Sequence, residues 1–225
     1  MQEFWLYFDI GRKHIADLEG YDHILFVAAL CLRYTYKDWK KLLILITAFT
    51  IGHSITLALS TLNVVNISSK WVEFLIPVTI MLTAVANVYQ KEVANQPKFP
   101  LIYFFTLFFG LIHGLGFSNI LKSMLGRDHN IVPQLLAFNL GLELGQLLIV
   151  AAVLILTFIV VGLIKLNKRI YISLLSSAIF IMALWMAIER WPLKEEEEED
   201  DVKIKKTELP MVITQQKNSA TYHLS

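Results

Sequence analysis

One carboxylate lies within an otherwise uncharged stretch of the chain. Between His129 and Ile164, the only acidic or basic residue is Glu143. The stretch is long enough to cross a bilayer, and a carboxylate near the hydrocarbon centre costs roughly 2–4 kcal/mol on insertion scales. Such a residue normally faces the interior of a helix bundle beside a partner. Glu143 is therefore predicted to have a functional role.

Histidines lie in or next to three other apolar parts of the chain. His53 and His113 are inside two separate apolar runs, Asp22-His23 begins a third, and His14 precedes it. Imidazoles combined with carboxylates are the donor set of a borderline divalent transition metal. We therefore predict one intramembrane metal site, with these ligands: His14, Asp22, His23, His53, His113 and Glu143.

Three further polar residues are predicted to support this site. Asn139 and Gln146 share a helical face with Glu143, because they are four and three residues away from it. Ser54 directly follows His53. Three further titratable residues are not expected to bind the metal: His129 in a loop, His223 in the tail and Glu73 at the membrane interface.

The composition is that of an integral membrane protein. Of the 225 residues, 56% are hydrophobic, against about 45–50% in soluble domains. The net charge of +1 gives no argument for nucleic-acid binding, which needs clustered basic residues on an aqueous face. The single cysteine, Cys31, excludes an intrachain disulfide and a multi-cysteine metal site.

Six apolar stretches meet or approach the roughly 20 residues that a membrane span needs. They lie at 21–36, 42–64, 71–90, 99–120, 132–164 and 170–190. We predict an all-α bundle of about six transmembrane helices over residues 21–192, because open sheets cannot satisfy their backbone in lipid. A short interfacial segment at 1–20 precedes it, and a disordered charged tail at 193–225 follows it.

The connections between the stretches are short and polar, which predicts sequential antiparallel neighbours. Lysine and arginine are more frequent in the loops after the first, third and fifth stretches, which predicts both termini outside. At 1.5 Å per residue, the histidines and Glu143 then lie between the interface and a depth of roughly 16 Å, so they can converge. No inverted repeat is evident from the sequence by eye.

Four segments resemble the HupE/UreJ family of small membrane proteins: 14–26, 52–57, 112–117 and 138–146. The most specific element is Gly20-Tyr-Asp22-His23 followed by Phe26, and the resemblance covers residues 8–190. Members of this family are regarded as nickel or cobalt permeases associated with hydrogenase and urease. The resemblance thus implies nickel or cobalt as the substrate, a His/Asp metal motif in the first span, and a bacterial inner membrane as the location.

The donor set also fits two other functions. One is an intramembrane zinc hydrolase of a lipid or amide, in which imidazoles hold zinc while Ser54 and Glu143 take part in catalysis. The other is a membrane accessory protein that assists assembly of a metalloenzyme partner. The leading hypothesis from the sequence is a metal permease embedded in the lipid bilayer.

Overall fold

A computed structural model of the protein describes residues 2–17, 20–89, 101–125 and 131–192; the predicted tail, 193–225, lies outside them. All regular elements in these ranges are helical. The α-helices are α1 Gln2–Ile15, α2 Asp22–Cys31, α3 Trp39–Thr61, α4 Ser69–Tyr89, α5 Leu101–Leu125, α6 Val132–Thr157 and α7 Lys168–Glu189. A 3-10 turn at Tyr36–Asp38 precedes α3, and a π-helical turn at Phe158–Leu163 extends α6.

Five of the described helices are long and apolar enough to cross a membrane. These candidate spans are Tyr36–Thr61, Ser69–Tyr89, Leu101–Ser118, Val132–Leu163 and Lys168–Glu189. The prediction of an all-α membrane protein is confirmed. The first predicted stretch, 21–36, contains the ten-residue helix α2. At about 15 Å it is too short to cross a hydrocarbon core of about 30 Å by itself.

The N-terminal segment, expected to lie along the membrane surface, is a helix packed against α6. Gly11 of α1 faces the backbone carbonyl of Phe138, and Gly141 of α6 faces the backbone carbonyl of Phe8. A Cβ atom at either glycine would collide with that carbonyl oxygen. Small residues are what allow two helices to approach this closely. Further along both helices, Gly145 lies against Ile15, so α1 is part of the bundle and runs parallel to the first half of α6.

Helices α1 and α2 cross the bundle together. The end of α2 lies beside the end of α4 and the start of α7: Asn87 Nδ2 donates to the Ala29 carbonyl at 2.7 Å, and Lys168 Nζ donates to the Arg33 carbonyl at 3.2 Å. The helical lengths of about 21 and 15 Å sum to more than the thickness of the hydrocarbon core. The first crossing is therefore a discontinuous helix, interrupted between Ile15 and Asp22, instead of the continuous span predicted at 21–36.

Helices α3 and α5 form a second close parallel pair. Gly52 faces the carbonyl of Leu107, and Gly110 faces the carbonyl of Phe49. Helix α4 packs mainly against α7. The two glycine-lined pairs, α1 with α6 and α3 with α5, enclose the interior in which the histidines lie.

Candidate metal site

Three of the predicted ligands meet inside the bundle. His14 is in the last turn of α1, His23 in the first turn of α2, and His53 in the interior of α3. One ring nitrogen from each lies within 4.8 Å of the other two. Metal–nitrogen bonds of about 2.0–2.1 Å place tetrahedral ligands roughly 3.3 Å apart. These three residues, called the histidine cluster below, need to close by about 1.5 Å at most to share one ion.

Four nitrogen atoms of the histidine cluster have no hydrogen-bond partner among the described residues: Nε2 of His14, Nε2 of His23, and both ring nitrogens of His53. All four atoms are buried, and the His53 side chain is 0% exposed. A buried polar atom without a partner costs about 1–3 kcal/mol. A bound ion would satisfy one nitrogen of each ring, and imidazole is a good ligand for nickel, copper, iron and zinc. The residues present therefore fit a divalent transition metal.

Asp22 orients His23 from behind. The Asp22 Oδ1 atom accepts hydrogen bonds from Nδ1 of His23 at 2.8 Å and from the backbone N–H of the same residue at 2.8 Å. The proton of the neutral ring is then on Nδ1, which leaves the lone pair of Nε2 for a metal. This carboxylate–histidine arrangement is the usual support for a metal-binding imidazole. The structure gives Asp22 this supporting position, whereas the sequence predicted a direct ligand.

His113 adjoins the cluster. Its ring centroid lies 5.0 Å from that of His23, and its Nε2 lies 3.0 Å from Oγ1 of Thr79. That hydroxyl donates to the carbonyl of Ile76 at 2.7 Å, so towards His113 it acts as the acceptor. The proton of the neutral His113 ring is then on Nε2, and its lone pair is on Nδ1.

Aromatic side chains form a wall around the cluster. The ring centroid of Phe117 lies 3.9 Å from that of His14, and Phe138 stacks on His53 with a centroid distance of 6.2 Å. Such a wall excludes water and lowers the local dielectric, so that electrostatic interactions inside are stronger than in water. It also makes an uncompensated ion costly there.

The interruption between α1 and α2 brings His14 and His23 together. Helix α1 ends at Ile15, Gly20 is not helical, and α2 begins at Asp22. The ring centroids of His14 and His23 lie 4.6 Å apart, although on one continuous helix nine residues would separate them by about 13.5 Å along the axis. The interruption therefore brings together two of the three histidines of the cluster.

A glycine sets the position of His53. Gly114 of α5 faces the backbone carbonyl of His53 and the hydroxyl of Thr56. A Cβ atom at this position would push α5 away from α3. Because Gly114 directly follows His113, the contact that holds α5 against His53 also brings His113 towards the cluster.

Glu143 is not a member of the cluster but of a second polar region between α3 and α6. Its Oε1 accepts a hydrogen bond from the hydroxyl of Thr47 at 2.9 Å, and Oε1 of Gln146 accepts one from the hydroxyl of Thr50 at 2.8 Å. Gln146 is fully buried, whereas Glu143 is half-buried. These four residues are called the α3–α6 seam below.

The two remaining supporting residues bond to their own helices. The hydroxyl of Ser54 donates to the Thr50 carbonyl at 2.6 Å, and Nδ2 of Asn139 donates to the Leu135 carbonyl at 2.8 Å. Neither contact involves an imidazole. The Ser54 hydroxyl thus donates its hydrogen bond to the backbone of α3.

The aromatic wall and Thr79 were not anticipated from the sequence. Phe117 and Phe138 read as ordinary apolar residues of a span, and no periodicity separates a ring that lines a site from one that faces lipid. Thr79 did leave a signal. It lies four residues before Thr83 in an otherwise apolar run, so the two hydroxyls share a helical face and indicate that this face is turned inward.

The histidine cluster and all seven α-helices of the described residues lie within the part of the chain that a family model matches. No curated protein and no solved structure matches the chain. Residues 1–190 match the family model described as HupE / UreJ protein. On this match, the chain belongs to the HupE/UreJ family.

Proposed function

We propose that the protein is a membrane permease for a divalent transition-metal ion, with nickel or cobalt as the substrate. The observation that carries this proposal is the convergence of three imidazoles from three separate helical segments, with buried nitrogen atoms that lack partners among the described residues. The family is associated with nickel and cobalt transport, which supports the choice of metal.

The ligand atoms favour this class of ion over the abundant alkaline-earth ions. Magnesium and calcium prefer carboxylate, carbonyl and water oxygens, whereas the cluster offers imidazole nitrogens. The only cysteine, Cys31, is buried in the apolar core. Thiolate ligation of the kind that selects copper(I) is thus not part of the site.

A dication in a water-poor interior needs a compensating negative charge. Asp22 supplies it through His23, since the carboxylate lies directly behind the ligand ring. An inside-negative membrane potential supplies the driving force, worth about 2.3 kcal/mol per elementary charge per 100 mV and therefore about 4.6 kcal/mol for a dication.

The distribution of the ligands over several segments also permits release. His14, His23 and His53 lie on α1, α2 and α3, and the glycine contacts leave few interlocked side chains between neighbouring helices. A small movement of one segment relative to the others removes a ligand, so the affinity falls without any chemical step. A carried ion must be bound and then released in this way.

Uptake into sealed liposomes tests the proposal. Protein reconstituted under an inside-negative potential should take up nickel, and His53→Ala should abolish uptake. His129→Ala, which removes a histidine that the sequence assigns to a loop, should behave like the unsubstituted protein. Nickel binding without protein-dependent uptake under either a potential or a proton gradient would contradict the permease function and would favour an accessory role.

A zinc hydrolase is the second candidate, because three imidazoles with an open fourth position are also the ligand set of catalytic zinc. Bound zinc would supply a nucleophilic hydroxide near neutral pH. Release of fatty acid or amine from added lipids, abolished by a chelator and by His53→Ala, would select this function. The absence of product from a zinc-loaded protein would exclude it for the lipids tested.

A further inference from the structure

We propose that residues 2–89 and 101–189 are two copies of one three-crossing unit in opposite membrane orientations, and that His14 and His113 are equivalent residues which bind the ion alternately. The repeat stands on geometry alone. The alternation rests on the proposed function and extends it.

The glycine contact between α1 and α6 is repeated between α3 and α5. In each pair, a glycine faces the carbonyl of the residue three positions before the glycine of its partner. The two sets are Phe8 and Gly11 with Phe138 and Gly141, and Phe49 and Gly52 with Leu107 and Gly110. In chain order, α1 with α2 is the first crossing, and α3, α4, α5, α6 and α7 are the second to the sixth. When the two halves are exchanged, the first crossing takes the place of the fourth and the fifth takes the place of the second. The α1–α6 pair thus becomes the α5–α3 pair. The same exchange maps the α4–α7 pair onto itself.

The pattern of buried residues repeats at one fixed offset in the third and sixth crossings. Five of the six residues buried in α7 lie 99 positions after residues buried in α4. The pairs are Val72 and Tyr171, Pro77 and Ser176, Ile80 and Ile179, Ala84 and Ala183, and Asn87 and Met186. The same offset relates Gly11 to Gly110. A helix can turn any of its faces towards a core. The agreement between the buried faces of α4 and α7 at the offset that also relates the two glycines therefore indicates a common structural unit.

The second and fifth crossings agree at an offset of 89. Seven of the ten residues buried in α3 correspond to residues buried in α6. The pairs are Leu45 and Gln134, Ile46 and Leu135, Phe49 and Phe138, Gly52 and Gly141, His53 and Leu142, Thr56 and Gly145, and Leu57 and Gln146. The offset between the two units is ten residues smaller here because the interrupted first crossing adds residues before α3. It is 99 again in the third and sixth crossings because α6 with its π-helical turn is longer than α3.

The two units are inverted with respect to each other. The hydroxyl of Tyr7 lies 3.4 Å from the carbonyl oxygen of Met124, whereas the ring of His14 lies 3.9 Å from that of Phe117. Residue numbers rise in α1 as they fall in α5, so these equivalent helices are antiparallel. Three crossings per unit, an odd number, require the same inversion. Inverted units of this kind surround the substrate sites of many secondary transporters, often with an interrupted helix at the site.

His14 and His113 hold equivalent positions on either side of a shared ligand. Each follows its equivalent glycine, Gly11 or Gly110, by three residues. Their ring centroids lie 4.6 and 5.0 Å from that of His23. When the two units exchange conformations, the surroundings of His14 and His113 are exchanged as well. One then enters the cluster as the other leaves it, while His23 and His53 stay.

The structure captures one of these two conformations. His14 is partly exposed, whereas His113 is 0% exposed. The Nε2 atom of His14 is nevertheless buried. We assign this conformation, in which His14 belongs to the cluster, as the one open towards the side from which α1 enters.

Two cysteine reporters in the full-length chain test the alternation. Ile10 and Phe109 are equivalent, both are half-buried, and each lies one helical turn before its histidine. In a Cys31→Ala background, Ile10→Cys or Phe109→Cys is labelled with a membrane-impermeant thiol reagent, in sealed right-side-out vesicles and separately in sealed inside-out vesicles. Each labelling is done with and without saturating nickel. Nickel selects the conformation whose ligands are intact. With His113→Ala it should raise labelling of Ile10→Cys and protect Phe109→Cys, by about threefold or more, and with His14→Ala it should do the reverse.

The control is His53→Ala, which removes a shared ligand and should abolish both nickel responses. His14→Gln and His113→Gln repeat the measurement for any alanine variant that fails to elute as a folded protein. Labelling of both reporters from the same face overturns the repeat. Nickel responses that are absent, or that have the same direction in both histidine variants, overturn the alternation alone if unsubstituted protein binds and takes up nickel. If unsubstituted protein binds no nickel, the proposed function fails together with the alternation.

Discussion

The histidine cluster and the α3–α6 seam are two polar regions inside the same apolar bundle, and they differ in how their hydrogen bonds are satisfied. In the seam, each threonine hydroxyl donates to a side-chain oxygen of α6, and the buried polar atom left over is Nε2 of Gln146, a donor that repels a cation. In the cluster, the atoms left over are imidazole nitrogens, and one nitrogen of each neutral ring carries a lone pair. The two polar regions thus offer an ion opposite surroundings.

This difference shows that a polar residue within a membrane span is a weak indicator of a ligand. Glu143 is the more conspicuous residue in the sequence, yet its carboxylate bonds to Thr47. Asp22 is less conspicuous because it begins its helix, yet its carboxylate supports a cluster ligand. Substitutions in the two regions should therefore have very different effects on metal binding.

The largest effect is expected for His53→Ala. His53 belongs to the cluster in the observed conformation and, by our proposal, in the alternate one, so its removal should weaken nickel binding by at least about 100-fold, beyond the 10–100-fold typical of supporting residues. Isothermal titration of detergent-purified protein measures the affinity. An unchanged affinity would show that the cluster is a packing feature.

Asp22→Asn and Glu143→Gln form a matched pair, since each replaces a carboxylate by its amide. Asp22→Asn should weaken nickel binding by about 10–100-fold, because the amide no longer fixes the His23 tautomer or balances the ion's charge. The elution profile of the variant on gel filtration checks that the fold is retained. A loss of less than about threefold would remove Asp22 from the site.

Glu143→Gln should change the equilibrium affinity for nickel by less than about threefold, since the carboxylate is engaged with Thr47 and is not among the groups whose ligand atoms meet in the cluster. The same titration measures it. If this variant loses as much affinity as Asp22→Asn, the seam and the cluster form one site and the distinction between them is wrong.

The smallest effect is expected for Thr50→Val, which removes the hydrogen bond to Gln146 while keeping the shape of the side chain. Hydrogen bonds between helices in membranes contribute about 0.6 kcal/mol on average and up to about 1.7 kcal/mol. Thermal unfolding in detergent should show a slightly lower midpoint, and nickel affinity should not change. A large loss of affinity would connect the seam to the ion.

The sequence was sufficient to predict the class of fold, because long apolar runs are a local signal. It also singled out His14, His23 and His53, whose ring nitrogens the structure brings within 4.8 Å of one another. It did not predict that α1 belongs to the bundle. Arg12 and Lys13 made the segment resemble a surface helix, but both pair with Asp9 of the same helix at 2.6 Å. The charges thus lie on one face and Gly11 on another, and only the partner helix reveals which face is packed.

The placement of Glu143 and His113 could not be predicted for a related reason. A depth along the membrane normal fixes how far a residue lies from the interface, but not the direction in which its helix turns it. Glu143 and the cluster lie at compatible depths, and rotation of α6 decides that Thr47 is its partner. The glycine contacts set that rotation, and their geometry depends on two helices at once.

The interruption of the first crossing also has an electrostatic consequence. Helix α1 ends beside His14, and its aligned peptide dipoles place about half a negative charge at that end. Helix α2 begins with the opposite, positive end, and Asp22 in its first turn offsets that charge. A dication in the cluster is thus attracted by the end of α1, while Asp22 offsets the repulsion from the start of α2. The backbone contribution cannot be titrated or removed by substituting a side chain, so part of the attraction for cations is built into the path of the chain.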